Sequence, residues 1–97
     1  MEMYCKIQKV LPLVQRNYTD RDGQPQVFKS KGFILTNGLN EVYAEATGKY
    51  AEALEGRDLD TTQFYVADLR FRQRSYADKD GVMHYNTEVE LTRLNVV

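Results

Sequence analysis

The closing stretch of the chain, LRFRQRSYADKDGVMHYNTEVELTRLNVV (residues 69–97), predicts two alternating strands joined by a tight turn. Side chains alternate across a strand, so the first of these strands divides its residues between two faces. One face carries three guanidinium groups and an aromatic ring, namely Arg70, Arg72, Arg74 and Tyr76. The hairpin therefore has one cationic and aromatic face, and one face that can enter a core.

The turn of this hairpin fixes its register. The pattern Tyr-x-Asp-[Lys/Arg]-Asp-Gly occurs at residues 18–23 and 76–81, and we predict each copy as a three-residue loop whose glycine has positive φ. A calcium loop is excluded because the twelfth positions are Lys29 and Thr87, where an EF-hand needs glutamate. The register predicts two inward pairs, Leu69 with Leu91 and Phe71 with Val89. It predicts four outward pairs: Arg70 with Glu90, Arg72 with Glu88, Arg74 with Asn86, and Tyr76 with His84.

This register affects how the arginine face is interpreted. Two of the three arginines have a carboxylate opposite them, and such cross-strand pairs leave little net positive charge. We therefore expect Glu90 and Glu88 to hold Arg70 and Arg72, which leaves Arg74 and Tyr76 as the free groups near the tip.

Composition indicates one small domain covering residues 1–97. The chain is 42% hydrophobic, contains seven Tyr and four Phe, and has a formal net charge of −1, so nucleic-acid binding would depend on where its charges lie. The single cysteine, Cys5, fits a reducing compartment. The opening residues MEMYCKIQKV lack the apolar run of a signal peptide, and no segment is long enough to span a bilayer. We expect a soluble cytoplasmic protein.

Periodicity along the chain predicts the order β-β-β-α-β-β. The predicted strands cover residues 3–14, 26–36, 40–46, 63–76 and 83–96. Thr47 is a candidate N-cap and Gly56 a stop for a short helix, and Gly32 is a candidate bulge. This order predicts an all-β fold with one short helix, a five-stranded Greek-key barrel of the OB type, with the helix between strands three and four.

The sequence contains no recognisable catalytic or cofactor-binding motif. The only histidine, His84, has no nucleophile or set of metal ligands at a recognisable spacing, so we expect it to pack on Tyr76. There is no phosphate-binding glycine loop, nucleophile elbow or paired-cysteine pattern. We predict a protein that is not an enzyme and binds neither cofactor nor metal.

The closing hairpin resembles the end of the barrel in bacterial single-stranded DNA-binding proteins, which show an L-R-T-R-x-[WY]-x-D-x-D-G-x-x-x-Y-x-T-E-V run there. Upstream, GKYAE (residues 48–52) is similar to the family's G-K-x-A-E, and GFIL (residues 32–35) to its N-F-S-L strand. The matching residues of the hairpin are Phe71, Arg72, Arg74, Tyr76, Asp78, Asp80, Gly81, Tyr85, Thr87, Glu88 and Val89. The resemblance implies an OB barrel that binds single-stranded DNA in replication without catalysis, as a homo-oligomer, with Tyr76 stacking on a base.

The chain departs from that family on the strand before the helix. The family's stacking Trp and Phe positions are Glu41 and Thr47 here, and the outer face of the strand carries Glu41, Tyr43 and Glu45. Each lost base stack costs about 1–3 kcal/mol. The sequence thus predicts weak, salt-sensitive binding of single-stranded DNA centred on Arg72, Arg74 and Tyr76. The predicted contributors beside them are Lys29, Lys31, Arg70, Tyr43 and Lys79. The alternative is an OB-fold protein-interaction or assembly module that has lost DNA binding.

Overall fold

Five strands and one short helix make up the chain, and the computed structural model describes all of residues 1–97. Strands hold 66% of the residues. The elements are β1 (Glu2–Thr19), β2 (Pro25–Thr36), β3 (Glu41–Thr47), α1 (Gly48–Glu55), β4 (Tyr65–Ala77) and β5 (Met83–Val96). The predicted order β-β-β-α-β-β is confirmed. The prediction that β1 ends at residue 14 is wrong, because the polar segment 15–19 continues to pair with β2 as far as Thr19↔Pro25.

The sheet closes into a ring in the order β1-β2-β3-β5-β4. β1 belongs to both sides of the ring, because its first residues pair with β4 and its later residues with β2. Register shifts between Ile7 and Lys9 and between Val10 and Leu13 accompany this change of partner. At the second shift Leu11 and Pro12 of β1 lie opposite Gly32 of β2, so Gly32 marks the bulge as predicted, although the extra residue is on β1. β3 and β5 run parallel and share only the pair Glu45↔Glu90.

Thirteen buried apolar residues fill the ring, and α1 contributes two of them, Ala51 and Leu54. The helix has only eight residues, so packing rather than propensity stabilises it. Thr47 is its N-cap in position, but its side chain makes no capping hydrogen bond. The hydroxyl of Tyr50 accepts a hydrogen bond from the backbone N–H of Leu94 at 2.6 Å, which ties α1 to β5.

Two hairpin arms extend beyond the ring. Arm 1 comprises residues 14–30 of β1 and β2, and arm 2 comprises residues 71–89 of β4 and β5. Their turns match, as predicted: Gly23 has φ 76° and Gly81 has φ 80°. In each turn the aspartate that precedes the loop accepts two backbone N–H hydrogen bonds on one carboxylate oxygen.

One prediction about the core is wrong in arm 2. Leu69 and Leu91 are buried as expected, but Phe71 is 48% exposed and does not enter the core. The inward face of the hairpin is covered only as far as the ring reaches, and Phe71 lies beyond it. The alternation of the sequence predicted correctly which side chains share the inward face of the hairpin. How far along the hairpin other elements bury that face depended on the rest of the fold.

Candidate nucleic-acid interface

A cleft of about 920 Å³ lies between the two arms, with β3 as its floor. It opens where β3 and β5 diverge from their single shared pair. Arm 1 contributes Arg16 and Phe28, and β3 contributes Glu41, Tyr43 and Glu45. Arm 2 contributes Arg72, Arg74, Thr87, Glu88 and Val89, and Glu90 follows on β5. The cleft thus combines two aromatic rings, three guanidinium groups and four carboxylates.

Tyr43 forms an aromatic platform on the floor of this cleft. Its ring lies across Gly32 of the neighbouring strand, where an added Cβ would come within 2.6 Å of both Cε2 and the hydroxyl oxygen of Tyr43. The hydroxyl donates a hydrogen bond to Glu45 Oε2 at 3.0 Å, and the residue is 50% exposed. Desolvation against the sheet, together with the Glu45 carboxylate, raises the pKa of Tyr43. The ring is therefore a neutral surface with one side on the sheet and the other available to a ligand.

Arg72 and Arg74 line the wall that arm 2 provides, and both are engaged by carboxylates. The predicted register of the hairpin is confirmed from Arg70↔Glu90 to Tyr76↔His84. Arg72 lies 4.0 Å from Glu88 and 3.5 Å from Glu90, while Arg74 lies 3.3 Å from Glu88.

These contacts correct two expectations about the arginines. Glu90 holds Arg72 rather than Arg70, which has no ion pair, and Arg74 is paired rather than free. Long side chains reach the diagonal neighbour on the facing strand as well as the residue directly opposite. The direct register therefore did not determine which carboxylate each arginine contacts.

The tip of arm 2 holds a stacked pair outside the cleft. The rings of Tyr76 and His84 lie 5.0 Å apart at 16°, which confirms the predicted packing of His84. His84 Nε2 lies 2.8 Å from Asp78 Oδ2. This hydrogen bond, followed by the backbone N–H of Val82, holds the pKa of Asp78 below its usual value. Lys79 is exposed in the adjacent turn without an ion pair.

Lys29 and Lys31 point away from the cleft toward α1. Lys29 pairs with Glu52. Lys31 is only 5% exposed, and its ammonium donates to the carbonyl oxygen of Leu11 at 2.9 Å and pairs with Glu55. Both lysines attach the helix to β2, so we leave them out of the proposed interface.

The eight residues singled out from the sequence therefore fall into three places. Tyr43, Arg72 and Arg74 meet in the cleft. Arg70, Tyr76 and Lys79 lie on or beside arm 2 outside it, and the two lysines of β2 face the helix.

Arg16 and Phe28 are cleft residues that the sequence analysis missed. They face each other across arm 1, and the guanidinium carbon of Arg16 lies 5.4 Å from the centre of the Phe28 ring. The missed signal is that the turn motif extends further upstream than its tyrosine. Arg16 precedes Tyr18 by two residues, as Arg74 precedes Tyr76, so both arms read Arg-x-Tyr-x-Asp-[Lys/Arg]-Asp-Gly.

Comparison of the chain with models of known protein families and with curated proteins found no match. The only helix is far shorter than one that could cross a membrane. No three His, Cys, Asp or Glu side chains converge into a group that could hold a metal ion.

Proposed function

We propose that the chain is a non-catalytic, single-stranded DNA-binding protein with an OB fold, and that the strand lies in the cleft between the two arms. The ring order β1-β2-β3-β5-β4, with the helix between β3 and β4, supports an OB barrel. OB folds bind oligonucleotides on the face of strands two and three, beside the loops that join strands one to two and four to five. Here the cleft occupies that face, and the arms are those two connections.

The observation that carries this proposal is the Tyr43 platform between two arginine-bearing walls. An aromatic face stacks on any base, and guanidinium groups on either side contact phosphates, which together suit binding without sequence preference. Arg16 stands on one wall, and Arg72 and Arg74 on the other. The Phe28 ring supplies a second aromatic surface beside Arg16.

The ion pairs of the cleft set the expected strength of binding. Exposed pairs such as those of Arg72 and Arg74 are worth about 0.2–1 kcal/mol each, so a phosphate can replace the carboxylate at small cost. The four carboxylates still oppose a polyanion. With three phosphates neutralised, the log–log salt slope should be about −2, at about −0.7 per phosphate for single strands. Binding should therefore be weak and salt-sensitive.

Fluorescence anisotropy with labelled oligo-dT at low and moderate salt tests the proposal. We expect Arg72→Ala combined with Arg74→Ala to lower the affinity at least tenfold and to reduce the salt slope by about 1.4. Lys49→Ala combined with Arg93→Ala removes the same charge from exposed positions outside the cleft and should leave both quantities unchanged. An equal loss in the two variants, or no binding at low salt, would contradict the proposal.

A second candidate function is a protein-interaction module, and the carboxylates of the cleft favour it. Glu41, Glu45, Glu88 and Glu90 outnumber the three arginines. β3 and β5 also pair at only one position, so their edges border the cleft and offer backbone groups to an extended peptide. If oligo-dT fails to bind at low salt, an extended lysine-rich peptide is the ligand to titrate next. Its binding should weaken in Glu41→Gln with Glu45→Gln.

A further inference from the structure

The inward face of arm 2 is free of charge, although 28% of the chain is charged. We call it the neutral face. The opposite face of the same arm carries arginines, glutamates and a histidine. The residues of the neutral face are Phe71, Gln73, Ser75, Ala77, Met83, Tyr85, Thr87 and Val89.

Three large apolar side chains of the neutral face are open to solvent. Tyr85 is 67% exposed, Phe71 48% and Met83 47%. Scattered exposed apolar residues are ordinary, but several on one strand face form a patch that marks an interaction surface. The lack of any cation on this face makes a protein surface a better match for it than nucleic acid.

The arrangement of the neutral face is self-complementary. Phe71 and Val89 form an apolar base, and Met83 and Tyr85 form an apolar tip. Between them Thr87 Oγ1 donates to Gln73 Oε1 at 2.9 Å. A two-fold axis through this central pair would place the base of one arm on the tip of another, as an isologous contact requires. No like charges would meet across that axis.

We propose that the neutral face binds the neutral face of a second copy of this chain. A fully buried aromatic side chain removes about 150–250 Å² from water. Two aromatics and a methionine exposed to this degree therefore bury roughly 500–750 Å² in a symmetric pair, against about 1,200 Å² for stable complexes. The dimer is accordingly weak and forms with rising concentration. Thr87 and Val89 of this face also line the cleft, whereas the exposed Phe71, Met83 and Tyr85 do not. The dimer contact rests on those three side chains, so the proposal does not depend on DNA binding.

Sedimentation velocity tests the proposal over about 10 μM to 1 mM, the range in which a contact of this size associates. We expect the weight-average sedimentation coefficient to rise with concentration, and Phe71→Ser with Tyr85→Ser to abolish the rise. Tyr4→Ser is the matched control, because Tyr4 is also 67% exposed but lies on β1. Circular dichroism establishes that each variant is folded.

Cross-linking gives a second readout that does not depend on the double variant. Gln73→Cys places a thiol beside the proposed axis, and the only native cysteine, Cys5, is buried. Oxidised glutathione should then join two copies through residue 73, while Tyr4→Cys should give no such dimer. A wild-type chain that stays monomeric at every concentration would overturn the proposal. So would a dimer that persists in the double variant, or one that the Tyr4→Ser control abolishes equally.

Discussion

Gly32→Ala should displace the ring of Tyr43 and weaken DNA binding while leaving the stability of the sheet nearly unchanged. The added methyl group would lie 2.6 Å from Cε2 and the hydroxyl oxygen of Tyr43, well inside the 3.5–4.0 Å at which carbon atoms pack. The atoms in its way belong to the far end of a half-exposed side chain, so the ring can swing into solvent while the backbone stays in place. That movement breaks the hydrogen bond from Tyr43 to Glu45.

The expected magnitudes differ for stability and for binding. Gly32 does not have positive φ, so alanine there should gain about 0.4–1 kcal/mol by restricting the unfolded chain. Loss of the hydrogen bond offsets this by about 0.5–1.5 kcal/mol. The net change in the free energy of unfolding should stay within about 1 kcal/mol. Loss of one base stack costs about 1–3 kcal/mol, which is roughly a 5- to 150-fold fall in affinity.

Urea unfolding and oligo-dT anisotropy on four proteins complete the test: the wild type, Gly32→Ala, Tyr43→Ala and the double variant. Once the ring is absent, Gly32→Ala should stabilise the protein and leave affinity unchanged, so the two substitutions should be strongly non-additive. An equal destabilisation by Gly32→Ala in the Tyr43→Ala background would show that the added methyl group does not act by displacing the ring. Binding of oligo-dT by Gly32→Ala as tight as that of the wild type would show that the ring is not a stacking platform.

Three further predictions concern charged groups. Glu88→Gln should release Arg74 and leave Arg72 paired only with Glu90, raising oligo-dT affinity and steepening its salt dependence; unchanged anisotropy would contradict this. The hydrogen bond that His84 donates to Asp78 lowers the pKa of this carboxyl group from its ordinary value of 3.8. The hydrogen bond therefore contributes stability that is present at pH values above the ordinary pKa and is lost as the pH falls through the lower folded-state pKa. Between pH 5 and 2 the melting temperature should therefore fall less for Asp78→Asn than for the wild type. Lys31→Met should cost about 1–3 kcal/mol in urea unfolding because it leaves a backbone carbonyl unsatisfied, whereas Lys29→Met should cost less than about 1 kcal/mol.

The closing hairpin shows how far local sequence information reaches. Its turn motif and its alternation both constrain one register, and every predicted pair from Leu69 to Tyr76 is present. The same alternation failed for the end of β1, because neither face of arm 1 is buried there and residues 15–19 carry no apolar periodicity. The repeated turn motif marks that strand, but the motif as defined begins at Tyr18 and therefore excludes Arg16.

The sequence by itself determined the strand order, the two turns, the short helix and the pairing of arm 2, because each depends on residues close together in the chain or on a simple period. Tertiary structure decided which of the chemically suitable residues meet. It turned Lys31 into a buried link to the helix, laid Tyr43 on Gly32, and brought Arg16 opposite Arg72 across one cleft. These contacts join residues that are remote in sequence, and closure of the ring, rather than any local pattern, brings them together.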